Sequence, residues 1–278
     1  AWKDKKITLS KLEEVEQLMG DLALKGNDTV KYAQEIQEKF ITPVSEAGID
    51  LDTIGQILEL ERILGDRKDL ANPHGLSYDY AKETYDYVKS QLNPAQWILL
   101  QEKLSWWRDY NFALVKKGYE AGVYSEKFFK EVATVNKNTY TPFAVVEYIV
   151  DNYVKAGVME AVGTTKGIEN TLTTQMLKSI SLMKLTAVNG AKQDVVKTFL
   201  ETFPEEVIKA KPIKNNKGET VGFERNAELE RKGYEQLELL EDGKRTAYYM
   251  DKYIVSMFES SLNGVGWDIA RFVTAPLR

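Results

Sequence analysis

The chain has 278 residues, 43% of them hydrophobic and 28% charged, with 42 acidic against 37 basic side chains, one histidine and no cysteine. That apolar content suffices for one large core or two modest ones and argues against disorder. The lack of cysteine excludes disulfides and thiolate metal cages, and a single histidine, His74, excludes a two-histidine metal site within one chain.

A net charge of −5 argues against a dedicated phosphate-backbone binder, although a local basic patch remains compatible with it. No apolar run approaches the ~20 residues that cross a bilayer. The opening Ala1–Lys6 lacks the apolar stretch of a signal peptide. The expected location is a cytosol or the inside of a particle, with no membrane partner.

From Asp28, apolar residues at Val30, Tyr32, Ala33, Ile36, Phe40 and Val44 follow helical spacing, and Gly48 ends the run. Asp50 or Asp52 caps a second helix through Ile54, Ile57, Leu58 and Leu64, which the loop 71–75 breaks. Ser77 caps a third, whose tyrosines at 78, 85 and 87, with Val88, give it an aromatic flank. Pro94 suits the first turn of the next and longest helix, to Gly118 or Gly122. Its large side chains, among them Trp97, Leu100, Leu104, Trp107 and Leu114, make it the expected centre of the core.

Ser125 caps a short helix over 126–135. An extended stretch over 138–143 follows, set by Thr141 before Pro142. Helix returns over 145–156, Gly163–Gly167 is a candidate mobile loop, and a long helix runs from Leu172 to Phe203 with a bend expected near Asn189–Gly190. Past Pro204, short apolar runs at 207–208, 212–213, 221–223 and 237–240 alternate with turn sequences, of which Asp242–Gly243 is a hairpin signal. Three or four strands are expected there, then a helix capped by Asp251.

The predicted fold is mainly α: an irregular multi-helix bundle with a small antiparallel β-hairpin or meander insert near the C-terminus. The predicted division is a helical domain over 1–205, a β subdomain over 206–250, and a C-terminal helix and tail over 251–278 that packs on the helical part.

No complete catalytic, metal or cofactor motif is present, so no catalytic residue, metal ligand or cofactor is assigned. His74 lacks a visible nucleophile and reads as a turn residue. Glu13, Glu14 and Glu16, and Glu59 and Glu61, lack the Glu-x-x-His spacing of a helix-bundle metal centre and read as solvated faces. The Gly163–Gly167 stretch lacks a P-loop's Gly-Lys-Ser/Thr. Trp106, Trp107, Arg108 and Tyr110 form an aromatic, basic cluster of the type on which bases stack, but adjacent helical positions point ~100° apart, so one tryptophan belongs in the core. The appreciable basic concentration is Lys209, Lys211, Lys214 and Lys217 with Lys244 and Arg245 at the hairpin, a candidate nucleic-acid contact set against lysine's ordinary use in guarding strand edges.

Arg67 with Ala71-Asn72-Pro73-His74-Gly75, then Gly118 to Ser125, Tyr140-Thr141-Pro142-Phe143, the Asp242-Gly243-Lys244 hairpin before Tyr248 to Ile254, and the closing Thr274 to Arg278 together resemble a module of phage large polyvalent proteins. The resemblance spans most of 50–278 and rests on turn and packing signatures. It implies a piece of a much larger polypeptide, carried in the virion and delivered with the genome, hence a virion interior or host cytoplasm. It also implies one of the helical modules of such a chain, and the ample apolar pattern without a catalytic constellation makes the leading expectation a non-enzymatic structural or interaction module whose partners are neighbouring domains of the parent polypeptide or other phage proteins. A nucleic-acid-associated module is the alternative, and an enzyme built from distant carboxylates the third reading.

Overall fold

The computed structural model describes residues 26–65, 75–133 and 171–256, apart from 217 and 219. The expectations for His74, Arg67, Glu13, Glu14 and Glu16, and for the segments 138–143, 145–156 and 163–167, fall outside those residues, as does Lys217. The chain is mainly α with a small antiparallel β insert near the C-terminus, as its pattern predicts. The described residues divide into two compact units: a helical unit within 29–65, 75–133 and 171–189 with 240–245, and a sheet unit within 26–28, 190–239 and 246–256.

In the helical unit, α1 (Gly26–Ile36) continues through a π-helical turn (Gln37–Ile41) into α2 (Thr42–Glu46). Gly48 ends the run with φ +75°, a conformation that costs a residue with a Cβ. Asp50 then starts α3 (Leu51–Leu64) by accepting a 2.7 Å bond from the Thr53 amide, and Ser77 does the same for α4 (Tyr78–Ser90) through Tyr80. Asn93 and Gln96 form a reciprocal capping box at α5 (Pro94–Glu120), where each side chain satisfies the other's backbone amide. Gln96 also donates to the Ala47 carbonyl at 2.9 Å, tying the start of α5 to the end of α2.

α5 is the centre of the core, as expected. Its Leu100, Leu104 and Trp107 are essentially sealed from solvent against Tyr32, Ile36 and Phe40 of α1 and its π turn, Ile54, Ile57 and Leu58 of α3, and Ala81 and Val88 of α4. Trp107 stacks on Phe40 at 5.3 Å. Burying side chains of this size contributes roughly 1.5–3 kcal/mol each before conformational entropy is subtracted.

α6 (Thr171–Thr202) runs through Asn189–Gly190, where the two units divide. In the sheet unit its second half presents Ala191, Val195, Val196 and Phe199 to one face of a three-stranded sheet of order β1 (Ile208–Lys209), β5 (Lys244–Asp251), β4 (Tyr234–Glu241). β1 pairs antiparallel with β5, Ile208 opposite Tyr249. Leu237, Leu239, Tyr248 and Met250 face α6, whereas Ala247 and Tyr249 point to the other face and meet Ala210 and Phe223. Beyond Lys211 the chain leaves the first sheet and pairs instead as β2 (Pro212–Lys214) with β3 (Thr220–Phe223), with a bulge between Ile213 and Lys214. A short helix, α7 (Ala227–Arg231), follows β3, capped by Asn226.

Five strands are described where the sequence suggests three or four. β5 carries no apolar–polar alternation from Thr246 to Met250 because both of its faces are covered, and with it goes the period-two signal that marks a half-buried strand.

Candidate interaction surfaces

Four interior polar side chains of the helical unit, Trp107, Asn111, Gln175 and Ser179, are joined in a chain between α5 and α6. The Trp107 indole N–H donates to Gln175 Oε1 at 2.7 Å, Asn111 Nδ2 donates to the Trp107 carbonyl at 2.9 Å, and the Ser179 hydroxyl donates to Asn111 Oδ1 at 2.5 Å. Asn189 is 97% buried and acts like a strand residue. Its Oδ1 accepts from the Leu240 amide at 2.7 Å, while Nδ2 donates to the carbonyls of Leu240 at 2.8 Å and Ala121 at 2.6 Å. The hairpin turn is held by Asp242, whose carboxylate accepts from the Glu126 amide at 2.7 Å, and by the Gly243 amide, which donates to the Gly122 carbonyl at 3.0 Å. Both turn residues have positive φ, +49° and +72°, the requirement that makes Asp-Gly the hairpin signal it is.

The aromatic, basic cluster on α5 is spent inside the fold. Trp107 is sealed, and Trp106 stacks half-buried on Tyr110 at 5.1 Å. The Tyr110 hydroxyl donates to Glu35 at 2.8 Å, and Arg108 is paired with Glu61. Glu61 also accepts from the Tyr85 hydroxyl at 3.4 Å. Burial, reinforced by the Glu61 charge, pushes the Tyr85 pKa up to about 12. Of the acidic pair Glu59 and Glu61, the first is buried and the second carries this ion pair, so neither is a solvated face. Among the described residues no group of three or more acidic or imidazole side chains is placed to hold a metal ion.

Two lysines of α6 are unusual. Burial lowers the pKa of Lys184 to about 8; burial first, and the nearby Arg62 second, bring Lys178 to about 8. No helix among the described residues is long and apolar enough to cross a membrane.

The five described basic candidates divide between the units. Lys209 lies on β1, Lys211 between β1 and β2, and Lys214 on β2, all exposed and all in the sheet unit. Lys209 reaches over the Tyr248 ring at 5.4 Å. Among the described residues, Lys211 and Lys214 have no ion-pair partner. Lys244, exposed, and Arg245, half-buried, open β5 in the helical unit.

The helical unit also exposes large aromatic groups on α4: Tyr80 is 57% exposed and Tyr87 65%. Seven residues apart, they share one flank of the helix, two turns from each other. The sequence signals an aromatic flank here but does not separate its two roles. Tyr85 and Val88 turn inward, Tyr85 against Trp97 at 5.9 Å, and Tyr87 turns outward. Tyr80, which completes the outward pair, escapes notice in a sequence where every tyrosine of the stretch looks alike.

Comparison of the chain with protein-family models, with curated proteins and with solved structures returns no match.

Proposed function

We propose that this chain is a non-enzymatic structural and interaction module of a large phage or prophage polyvalent protein, packaged in the virion and delivered with the genome. The resemblance of its turn and packing motifs supports the parentage. The observation that carries the interaction reading is the outward pair Tyr80 and Tyr87 on α4, large amphipathic side chains of a type enriched at protein interfaces and the most exposed aromatic groups of a helix whose Tyr85 turns inward onto Glu61 and Trp97. Its partners are neighbouring domains of the parent polypeptide or other phage proteins. Quantitative mass spectrometry of purified particles from the encoding phage or induced prophage tests the assignment. Peptides of this chain on a far longer polypeptide inside the particle support it, and a free-standing product found only in infected cells overturns it.

A nucleic-acid-associated module is the second reading, favoured by Lys211 and Lys214, exposed and without an ion-pair partner among the described residues, the first between β1 and β2 and the second on β2. Binding of this kind releases condensed counter-ions and weakens steeply with salt. DNA whose gel mobility the protein leaves unaltered at low salt would remove it.

A further inference from the structure

Within α4 the charges are not evenly committed. Lys82 donates to Asp86 at 3.0 Å, and the Lys89 ammonium sits 4.9 Å from the centre of the Trp97 ring. Both lysines of the helix are thereby engaged. Among the described residues, Asp79 and Glu83 have no ion-pair partner. Asp79 stands in the first turn, where the partial positive charge of the helix N-terminus accounts for it. Glu83 stands in the helix interior, beyond that field, and has no such explanation.

Glu83 also lies between Tyr80 and Tyr87 along the flank they share, three residues after one and four before the other. Thr84, the other residue between them, turns its hydroxyl back onto the Tyr80 carbonyl at 2.8 Å and offers little to a ligand. The flank therefore presents two aromatic faces bracketing an exposed carboxylate that no described residue pairs. Aromatic faces attract cations through their quadrupole, with guanidinium favoured over ammonium, and a carboxylate between them adds charge attraction and accepts hydrogen bonds from a guanidinium.

We infer that this flank of α4 docks a basic, arginine-bearing segment of a partner protein, with cationic side chains against Tyr80 and Tyr87 and their charge answered by Glu83. The inference rests on the interaction-module reading and names the chemistry of its partner. A nucleic-acid backbone is disfavoured at the same place, since Glu83 would face phosphate.

The test is a titration of the isotope-labelled full chain with a blocked arginine–glycine octapeptide, followed by amide NMR at near-physiological salt, with a glutamate–glycine octapeptide and single-stranded DNA in parallel. The expected result is perturbation concentrated between residues 78 and 91, with affinity falling by about fivefold or more in Tyr80→Ala/Tyr87→Ala and in Glu83→Lys. All three side chains are exposed, so the variants should fold as the parent does, and an unchanged thermal midpoint checks this. Perturbation scattered over other acidic surfaces, or affinity indifferent to these substitutions, overturns the inference. So does equal or tighter binding of the glutamate peptide or of DNA at 78–91. Each of those results leaves the particle measurement above to judge the parent assignment separately.

Discussion

The helical unit and the sheet unit solve the same problem of burying polar groups at different scales. In the helical unit, a large apolar cluster surrounds α5, and the polar chain from Trp107 through Gln175, Asn111 and Ser179 is threaded through a core that is already extensive. In the sheet unit, each face of the three-stranded sheet has its own smaller cluster, and on the face away from α6 the buried apolar residues among those described are Ala210, Phe223, Ala247 and Tyr249. There a single hydroxyl does much of the joining. Tyr249 Oη accepts from the Asn226 amide and from Gln236 Nε2, each at 2.7 Å, and donates to the Glu224 carbonyl at 3.0 Å. A small cluster gains little from area and depends on each polar bond, whereas a large one tolerates the loss of a polar bond better than the loss of volume.

The most damaging way to break that comparison is to remove volume from the large core. Trp107→Ala should cost about 4 kcal/mol, combining lost transfer energy, a cavity beside Phe40 and an orphaned Gln175, as read from chemical denaturation. Trp107→Phe keeps much of the volume and removes the donor, so its cost should be well under half as large. If the two variants are equally destabilised, the polar chain and not the apolar packing holds this unit.

Asn189→Ala comes next, at about 3 kcal/mol, because it strands the buried amide and carbonyl of Leu240 and also releases the Ala121 carbonyl. Its signature is faster hydrogen exchange at the Leu240 amide. In the sheet unit, Tyr249→Phe leaves the ring in place and should still cost about 2 kcal/mol, since three partners lose one hydroxyl. Exchange should accelerate at Asn226 and not at the amides of α5. Tyr249→Phe costing less than Trp107→Phe would reverse the argument that the small cluster leans harder on its polar bonds.

How much of this is readable in the sequence follows from which signals are local. Asp50, Ser77 and Asn93–Pro94 announce element ends through bonds made within a few residues, and Asp242–Gly243 announces a turn through the positive φ that both residues adopt. Trp107 is legible as core because neighbouring helical positions diverge by ~100° and only one of 106 and 107 can face inward. What is lost is long-range. Asn189 reads as a bend because Asn-Gly is a turn signal, while its actual partners, Ala121 and Leu240, lie 68 and 51 residues away. Glu61 reads as a solvated carboxylate until Arg108, 47 positions on, is brought to it. The basic run 209–217 and Lys244–Arg245 are close in type but belong to different units, a separation no spacing rule contains.

The smallest effect has the opposite sign. Lys184 is 93% buried on α6, and burial alone lowers its pKa to about 8, against an unfolded value near ~10.4. The folded chain therefore holds this proton less tightly than the unfolded chain does. Below about pH 8 both states are protonated and the penalty is at its full, constant value; between pH 8 and about 10.4 the folded state releases its proton first, and stability from this group rises with pH. Lys184→Met removes the charge at similar length and should stabilise the protein at pH 7, by about 1 kcal/mol, since a long flexible stem already relieves part of the burial cost. The gain should shrink steadily as pH is raised towards 10. Urea denaturation of both proteins across that range measures the difference directly and cancels the titration of every other group they share. A pH-independent gain would mean that methionine packs better than lysine and that charge is not what the site resists, whereas a loss at pH 7 would mean that the ammonium's own partners outweigh its desolvation.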